Sequence, residues 1–263
     1  MLNAVGRDIP EEILKATGKE VFQGTHHFDG HEYETASHKV KCVINSNGSK
    51  LVDSIHDVLV KCGIKDGMTL SFHHHFRNGD KVLNMVMEEV HAMGIKNITI
   101  CASSLGGQND PIVYMLDDGT ITNIESSGVR GEIGKAISNG RLQGLAIMRS
   151  HGARSRAIMS GETHIDIAFI GAPTADEYGN LNANGGKADC GVLSYSAVDA
   201  EYADRVVAVT DTLVPFPNLP AQISQVKVDY VVKVDEIGDP TKIATGAAKP
   251  TTDQRKLLMA KYC

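Results

Sequence analysis

One ten-residue stretch of the sequence concentrates groups that bind anions. The stretch SFHHHFRNGD, residues 71–80, contains His73, His74 and His75 in succession and Arg77 two residues later. Imidazole N–H groups and a forked guanidinium are suitable donors for carboxylates or for the oxyanion that develops in acyl transfer. The pattern therefore favours a cationic site in which these four side chains have catalytic roles.

Two other interpretations of the histidine run stay open. A metal site is weakened because consecutive side chains diverge and because no HExxH motif or acidic partner at a fixed helical spacing accompanies them. A solvated loop without function is also compatible, since residues 77–80 can form a turn and the N-cap of a helix. We predict anion binding and no metal.

Three further stretches are rich in glycine and polar residues: SSLGGQNDP (103–111), SSGVRG (126–131) and GAPTADEYGNLNANGG (171–186). Glycines at a helix start let backbone N–H groups approach a ligand, although a tight turn that binds nothing explains Gly-Gly alone better. A loop as long as the third one is usually functional in a compact domain. The predicted substrate- and thioester-binding residues are Ser103, Gly106, Gly107, Arg130, Asn182, Asn184, Gly185 and Gly186.

The sequence contains no convincing nucleophile. It has no GxSxG elbow, and it lacks the GxGxxG and GxxxxGK[ST] patterns of nucleotide sites. Glu125 ends a predicted strand and could act as a carboxylate nucleophile or base. A surface carboxylate at a strand end is the commoner explanation.

Helical and strand patterns alternate from about residue 50 onward. Apolar residues predict a helix over 51–62 and a second over 80–93, and each helix leads through Gly-Ile-Lys into a strand. This alternation predicts an α/β fold with a mainly parallel open sheet and helices on both faces. The predicted strands span 68–72, 97–101, 120–125, 144–149, 165–172, 204–211 and 230–237. Ligands bind beyond the carboxyl ends of such strands, and the unusual stretches all follow strands.

Composition narrows the class of protein. The 263 residues carry a formal net charge of −6, which argues against a nucleic-acid partner or a polybasic membrane surface. The five cysteines form no CxxC pair, and no apolar run approaches the roughly 20 residues that span a bilayer. We expect a cytoplasmic protein with residues 1–48 as an N-terminal extension that packs on the core, 49–250 as the α/β domain and 251–263 as the start of a truncated second segment.

Taken together, four stretches resemble the α subunit of bacterial citrate lyase: SFHHHFRNGD, SSLGG, SSGVRG and GAPTADEYGNLNANGG. The citramalate lyase α subunit is the relative most easily confused with it. The resemblance runs through the whole chain, but family members are about twice as long, so the sequence looks like the N-terminal half. It implies the CoA-transferase (NagB/RpiA-like) fold, whose active site lies between two α/β halves.

The resemblance also implies a reaction and partners. An acetyl thioester and citrate would give a citryl thioester and acetate through a mixed anhydride, as part of citrate fermentation. No covalently bound cofactor is expected, because the thioester carrier, CoA or the prosthetic group of an acyl carrier protein, is a substrate. The implied partners are the beta (citryl lyase) and gamma (acyl carrier protein) subunits in an oligomer.

Two readings from other classes stay open. A sugar-phosphate isomerase or deaminase on a related sheet would bind phosphate in the loops and use a carboxylate base such as Glu125. A non-catalytic half would bind partner subunits and serve only as a scaffold.

Overall fold

The computed structural model describes residues 1–23, 48–73, 75–243 and 251–262. The chain divides into two compact units, Met1–Glu34 and Thr35–Cys263. The described part of the first unit contains one helix, α1 (Glu11–Thr17), which ends at Gly18 with a left-handed φ of 63°. Residues 24–47 of the expected N-terminal extension, and His74, lie outside the described residues.

Within the described residues, eight strands form one sheet in which every neighbouring pair is parallel. The strands are β1 (Leu51–Val52), β2 (Thr69–Phe72), β3 (Ile98–Ala102), β4 (Ile121–Ser126), β5 (Ala146–Met148), β6 (Ile167–Gly171), β9 (Arg205–Thr210) and β10 (Tyr230–Lys233), with β7 (Thr174–Ala175) and β8 (Leu181–Asn182) in a separate antiparallel ribbon. The order across the sheet is β1-β10-β9-β6-β2-β3-β4-β5. The predicted α/β class with a mainly parallel open sheet is confirmed.

Helices separate most of the strands. They are α2 (Ile55–Cys62), α3 (Val82–Ala92), α4 (Tyr114–Asp117), α5 (Gly131–Ser138), α6 (His151–Met159), α7 (Ser196–Tyr202), α8 (Pro240–Ile243) and α9 (Gln254–Lys261). Short 3₁₀ turns span Arg77–Gly79, Gly107–Ile112 and Gln225–Lys227. No helix in the described part of the chain is both long enough and apolar enough to cross a membrane.

Alternate residues of the central strands belong to two cores, one on each face of the sheet. In β6, Ile167 and Phe169 pack in the first core, whereas Ala168 and Ile170 pack in the second. This follows from the period of two along a strand. The first core also contains apolar residues of α2, α3 and α5, and the second contains residues of α6 and α7. Helices on both faces are therefore confirmed.

The start of the first predicted helix is wrong. Leu51 and Val52 form β1 and pair with Val231 and Val232 at the edge of the sheet. The helix begins only after Ser54, whose Oγ accepts a hydrogen bond from the backbone N–H of Asp57 at 3.0 Å. Apolar spacing alone could not separate the two elements, because Leu51 continues the helical stripe. The serine N-cap was the signal that marks the boundary.

Candidate active site

Loops that follow the strands meet at the carboxyl edge of the sheet around a cavity of about 730 Å³, here called the main cavity. Segments after β2, β3, β4 and β5 border it, together with the residues before α7. This is the place where parallel sheets bind ligands. The predicted site residues that border the main cavity are His73, His75, Arg77, Ser103, Gly106, Gly107 and Arg130.

Two histidine rings border the main cavity at the end of β2. The Nδ1 atoms of His73 and His75 share a hydrogen bond, and Nε2 of His75 lies 2.8 Å from the carbonyl oxygen of Gly171. A carbonyl oxygen can only accept, so His75 carries a proton on Nε2. This hydrogen bond attaches His75 to the end of β6 and holds its ring in one orientation beside His73.

Arg77 begins a 3₁₀ turn in a conformation that side-chain-bearing residues rarely adopt. Its φ is 52°, in the left-handed region, where a residue other than glycine costs about 1–3 kcal/mol. The turn closes tightly, because a Cβ on Gly79 would lie 2.5 Å from the carbonyl oxygen of Asp239. The strained turn places an exposed arginine beside the main cavity, and strain of this kind concentrates at binding and catalytic sites.

Asp80 follows the same turn and is buried at the start of α3. Its Oδ2 accepts a hydrogen bond from the backbone N–H of Leu83 at 3.4 Å. Burial raises the pKa of Asp80 to about 7, although backbone hydrogen bonds at Leu83 and Val82 lower it. Asp80 borders a cavity of about 550 Å³ that shares Asn78 and Gly107 with the main cavity. A second polar space, here called the side cavity, therefore adjoins the cationic one.

The loops after β3 and β4 hold Arg130 at the main cavity. The backbone N–H of Leu105 donates to the carbonyl oxygen of Gly128 at 2.9 Å, and the N–H of Arg130 donates to the carbonyl oxygen of Leu105 at 3.0 Å. One residue later α5 begins, and Oδ1 of Asp110 accepts from the N–H of Glu132 at 2.7 Å. Arg130 is therefore fixed between a paired loop and a capped helix.

Gly106 and Gly107 border the main cavity, but the two amides are not equally placed to bind a ligand. The backbone N–H of Gly106 donates to Oδ1 of Asn109 at 3.1 Å. Use of that N–H as an oxyanion donor would require this bond to open. Ser103 is buried beside them, and its carbonyl oxygen accepts a hydrogen bond from Oγ of Ser127.

The structure adds aromatic and thiol groups that sequence reasoning did not single out. Tyr195 lies between two imidazoles, with ring centroids 5.8 Å from His73 and 5.5 Å from His151. Cys190 also borders the main cavity, and burial together with Asp189 raises the pKa of its thiol to about 12. Such a thiol stays protonated and is a poor nucleophile. A signal for His151 existed, since it follows a predicted strand, whereas nothing in the sequence marked Tyr195.

The predicted asparagines lie elsewhere. Asn182, Asn184 and Gly185 border a separate cavity of about 410 Å³ with the proline-rich segment 214–219. Nδ2 of Asn182 donates to the carbonyl oxygen of Pro220 at 3.0 Å. Gly186 borders neither of these two cavities, and a Cβ there would lie 2.0 Å from the carbonyl oxygen of Pro173. The structure therefore does not bring this group together with the histidines.

Glu125 does not border the main cavity. Its Oε2 accepts from Oγ1 of Thr163 at 2.8 Å and lies 3.4 Å from Nε of Arg149. Arg149 also pairs with Glu162 at 2.8 Å. These contacts join β4 and β5 to the segment before β6, which is the arrangement expected of a structural carboxylate.

One group of three potential metal ligands is found among the described residues, at the opposite edge of the sheet. His164, Asp166 and Asp204 offer ligand atoms that lie within 4.8 Å of one another. His164 and Asp166 precede β6 and Asp204 precedes β9, so all three lie at the amino ends of strands. This edge is remote from the histidines of the main cavity.

Comparison with known proteins decides the family. The chain matches the family model Citrate lyase, alpha subunit (CitF) over residues 48–263. The chain belongs to the citrate lyase alpha subunit family. The citrate lyase alpha chain of Haemophilus influenzae is 44% identical over 238 residues, which are 90% of this chain and 48% of that protein. The Escherichia coli K12 alpha chain is 46% identical over 212 residues, covering 81% of this chain and 42% of that protein.

The chain thus spans about half the length of the citrate lyase alpha chains that it matches. A Streptococcus mutans protein described as the alpha subunit of citrate lyase, solved in complex with citrate, is 49% identical with a TM-score of 0.88 over 99% of this chain and 50% of that one. An acyl-CoA transferase from Escherichia coli O157:H7 has a TM-score of 0.59 at 15% identity, covering 82% of this chain and 54% of that one. The second likeness shows the fold alone, and it confirms the predicted CoA-transferase-like architecture.

Proposed function

We propose that this chain provides one side of the active site of a citrate:acyl-carrier-protein transferase. The observation that carries the proposal is the convergence of His73, His75, Arg77, Arg130 and His151 on one cavity in a chain whose net charge is −6. Two guanidinium groups and three imidazoles concentrated at one cavity, in a chain of net negative charge, are suited to a ligand with several carboxylates. Citrate is such a ligand, and membership of the citrate lyase alpha subunit family supports it.

The proposed reaction exchanges acetyl for citryl on a thioester. A citrate carboxylate oxygen attacks the acetyl carbonyl carbon, and the tetrahedral oxyanion collapses to acetyl-citryl anhydride as the carrier thiolate leaves. The thiolate then attacks the citryl carbonyl of the anhydride, and acetate leaves. The products are citryl thioester and acetate. Arg77 and Arg130 bind the carboxylates of citrate, while imidazole N–H groups stabilise the two oxyanions.

The size of the expected catalytic contribution follows from the oxyanions. Removing one preorganised donor from an oxyanion site costs about 10²–10³ in kcat. His73 is the stronger candidate for this role, because Nε2 of His75 already donates to the carbonyl oxygen of Gly171 at 2.8 Å. His151 and Tyr195 complete the same side of the main cavity.

The thioester carrier is proposed to be CoA or the prosthetic group of an acyl carrier protein. Its arm approaches along the side cavity, which shares Asn78 and Gly107 with the main cavity. Asn182, Asn184 and Gly185 lie on the separate cavity beside the proline-rich segment, and a role in carrier docking is proposed for them. The beta and gamma subunits of citrate lyase are the proposed partners.

The sugar-phosphate isomerase reading requires a carboxylate base in the cavity. Glu125, the candidate for that base, is bonded to Thr163 and Arg149 and does not border the main cavity. No observation therefore favours this second reading over acyl exchange.

The test is an acyl-exchange assay on the complete protein with acetylated carrier and citrate, and with citramalate as the competing acid. The proposal expects formation of citryl thioester and release of acetate, with His73→Gln slower by about 10²-fold. His56→Gln is the matched control, because His56 is an exposed histidine of α2 bonded to Glu89. Turnover of a phosphosugar without acyl exchange would overturn the proposal, as would equal rates in both variants.

A further inference from the structure

A buried ion pair links four elements behind the main cavity. Nη1 and Nη2 of Arg154 donate to Oδ1 and Oδ2 of Asp199, both at 2.9 Å. Nη2 also donates to Oγ of Ser71 at 3.1 Å and to the carbonyl oxygen of Cys101 at 3.3 Å. Oγ of Ser71 in turn donates to Oδ2 of Asp199 at 2.5 Å. The pair therefore joins α6 and α7 to β2 and β3.

All three side chains of this network are inaccessible to water. Arg154 is 2% exposed, Asp199 is 1% exposed and Ser71 is fully buried. Burial alone would lower the pKa of Arg154, but the Asp199 carboxylate raises it above its usual range. Buried ion pairs contribute little net stability compared with an apolar pair of the same volume, because desolvation offsets the attraction. What such a pair does provide is a fixed direction, since a bidentate fork has one geometry.

Each member of the network shares a face of its element with a ring that borders the main cavity. Ser71 is two residues before His73, which is the same-side spacing of a strand. His151 is three residues before Arg154 on α6, and Tyr195 is four residues before Asp199 at the start of α7. Both are same-face spacings of a helix.

The Tyr195 ring is a neighbour of both histidine rings. Tyr195 lies between His73 and His151, with centroid distances of 5.8 Å and 5.5 Å. Behind them, Ser71, Asp199 and Arg154 are bonded to one another. One buried network is thus connected through the backbone to three rings that border the main cavity.

We propose that Arg154, Asp199 and Ser71 are positioning residues: they set the spacing of His73, Tyr195 and His151 and thereby the geometry of the anion site. The inference rests on the proposed acyl exchange for its kinetic consequence, but its structural consequence is independent of that reaction. None of the three borders the main cavity. Their effect on turnover is transmitted through the rings.

The double variant Arg154→Met with Asp199→Leu distinguishes the positioning role from a purely structural role. Apolar side chains of similar volume can replace a buried pair without loss of stability, but they remove the directional hydrogen bonds. The positioning role expects the variant to unfold at the same temperature as the wild type within a few degrees. Its kcat for acyl exchange falls by about 10- to 100-fold, because a misplacement of about 1 Å costs that much. In its crystal structure the Tyr195 ring shifts by about 1 Å or more relative to His73 and His151.

Two further variants should give smaller losses of kcat than the double variant. Ser71→Ala leaves the ion pair in place and removes the two hydrogen bonds of its Oγ, so a loss of kcat of about 2- to 5-fold is expected. Arg154→Lys keeps the charge but loses the fork, and its kcat falls between that of Ser71→Ala and that of the double variant. Asp229→Asn is the control for a buried carboxylate elsewhere: Asp229 is 2% exposed and accepts from the backbone N–H of Val206 at 2.7 Å.

The outcomes distinguish this inference from the proposed function. Absence of acyl exchange in the wild type would sink the proposed function, while the ring positions in the double variant would still decide the positioning role. A folded double variant with unmoved rings overturns the positioning role, as does one with unchanged kcat in an active enzyme. A fall in kcat equal to that of Asp229→Asn at equal loss of stability would also overturn it.

Discussion

The two edges of the same parallel sheet carry similar residue types but use them differently. At the amino edge, carboxylates satisfy the first N–H groups of strands: Oδ2 of Asp166 accepts from Thr69, and Oδ2 of Asp229 accepts from Val206, both at 2.7 Å. At the carboxyl edge, donors satisfy the last carbonyl oxygens, as His75 does for Gly171. This division follows from the requirement that buried backbone groups be paired.

The carboxyl edge carries charged groups beyond those needed to pair its backbone carbonyl oxygens. It has a strained arginine at Arg77, a carboxyl at Asp80 whose pKa burial raises to about 7, and the fully enclosed pair of Arg154 and Asp199. Each of these features costs free energy that strand pairing does not recover. Histidines alone therefore do not mark a functional site. Such a site is marked by hydrogen-bond donors that exceed the number needed to pair the strand ends and that are held in place at a free-energy cost.

The largest expected effect on stability comes from breaking the enclosed ion pair. Asp199→Ala leaves the Arg154 guanidinium buried without its carboxylate, which costs about 3–5 kcal/mol of unfolding free energy. Asp229→Ala at the amino edge is expected to cost less, because its partner Arg205 is 51% exposed and can be solvated. Urea unfolding of both variants measures the difference. Equal losses would remove the distinction between the two edges.

The next effect separates activity from stability at one residue. Arg77→Gly relieves the left-handed backbone, so the unfolding free energy is expected to stay unchanged or rise by up to about 1 kcal/mol. Acyl exchange is expected to fall by about 10²-fold or more with the loss of a cationic donor. Thermal unfolding and steady-state kinetics on the same preparation test this pair of expectations.

Asn97→Gly is the matched control for that variant, because Asn97 has a left-handed φ of 62° and lies before β3 at the amino edge. Its activity should equal that of the wild type. A fall in activity at Asn97 comparable to that at Arg77 would show that backbone change anywhere around the sheet impairs the enzyme.

The last effect concerns the dependence of stability on pH. The pKa of Asp80 is about 7 in the folded protein against 3.8 for an ordinary aspartate, so the folded state holds its proton more tightly than the unfolded state does. Its contribution to stability is present below the unfolded pKa and is lost as pH rises from about 4 to about 7. Asp80→Asn removes this loss, which is on the order of 4 kcal/mol at most. Denaturant unfolding between pH 4 and pH 8 should show a shallower fall for the variant than for the wild type.

The sheet could be predicted because each of its longer strands has an apolar pattern that is visible within a few consecutive residues. Apolar runs located β2, β3, β6 and β9, and the rule for parallel strands then placed the histidines at the carboxyl edge. The first helix was misplaced at Leu51 because a two-residue edge strand has too few residues to show a period of two.

The candidate site was predicted only where its residues directly follow strands. His73, Arg77, Ser103 and Arg130 are of this kind and border one cavity. Asn182 was grouped with them from composition, but the antiparallel ribbon carries it to another cavity. Tyr195 could not be found, since its place between two imidazoles depends on how α7 packs against α6, which no local pattern encodes.

The most direct test of the cationic site is a calorimetric titration of citrate into the complete protein. Wild type and Asp166→Asn, altered at the amino edge, should bind citrate with the same affinity. Arg77→Gly should bind it about 10-fold more weakly or worse, since a hydrogen bond to a charged group contributes about 1.5–3 kcal/mol. Equal affinity in all three proteins, or weakening at Asp166 as large as at Arg77, would contradict the assignment of the carboxyl edge as the citrate site.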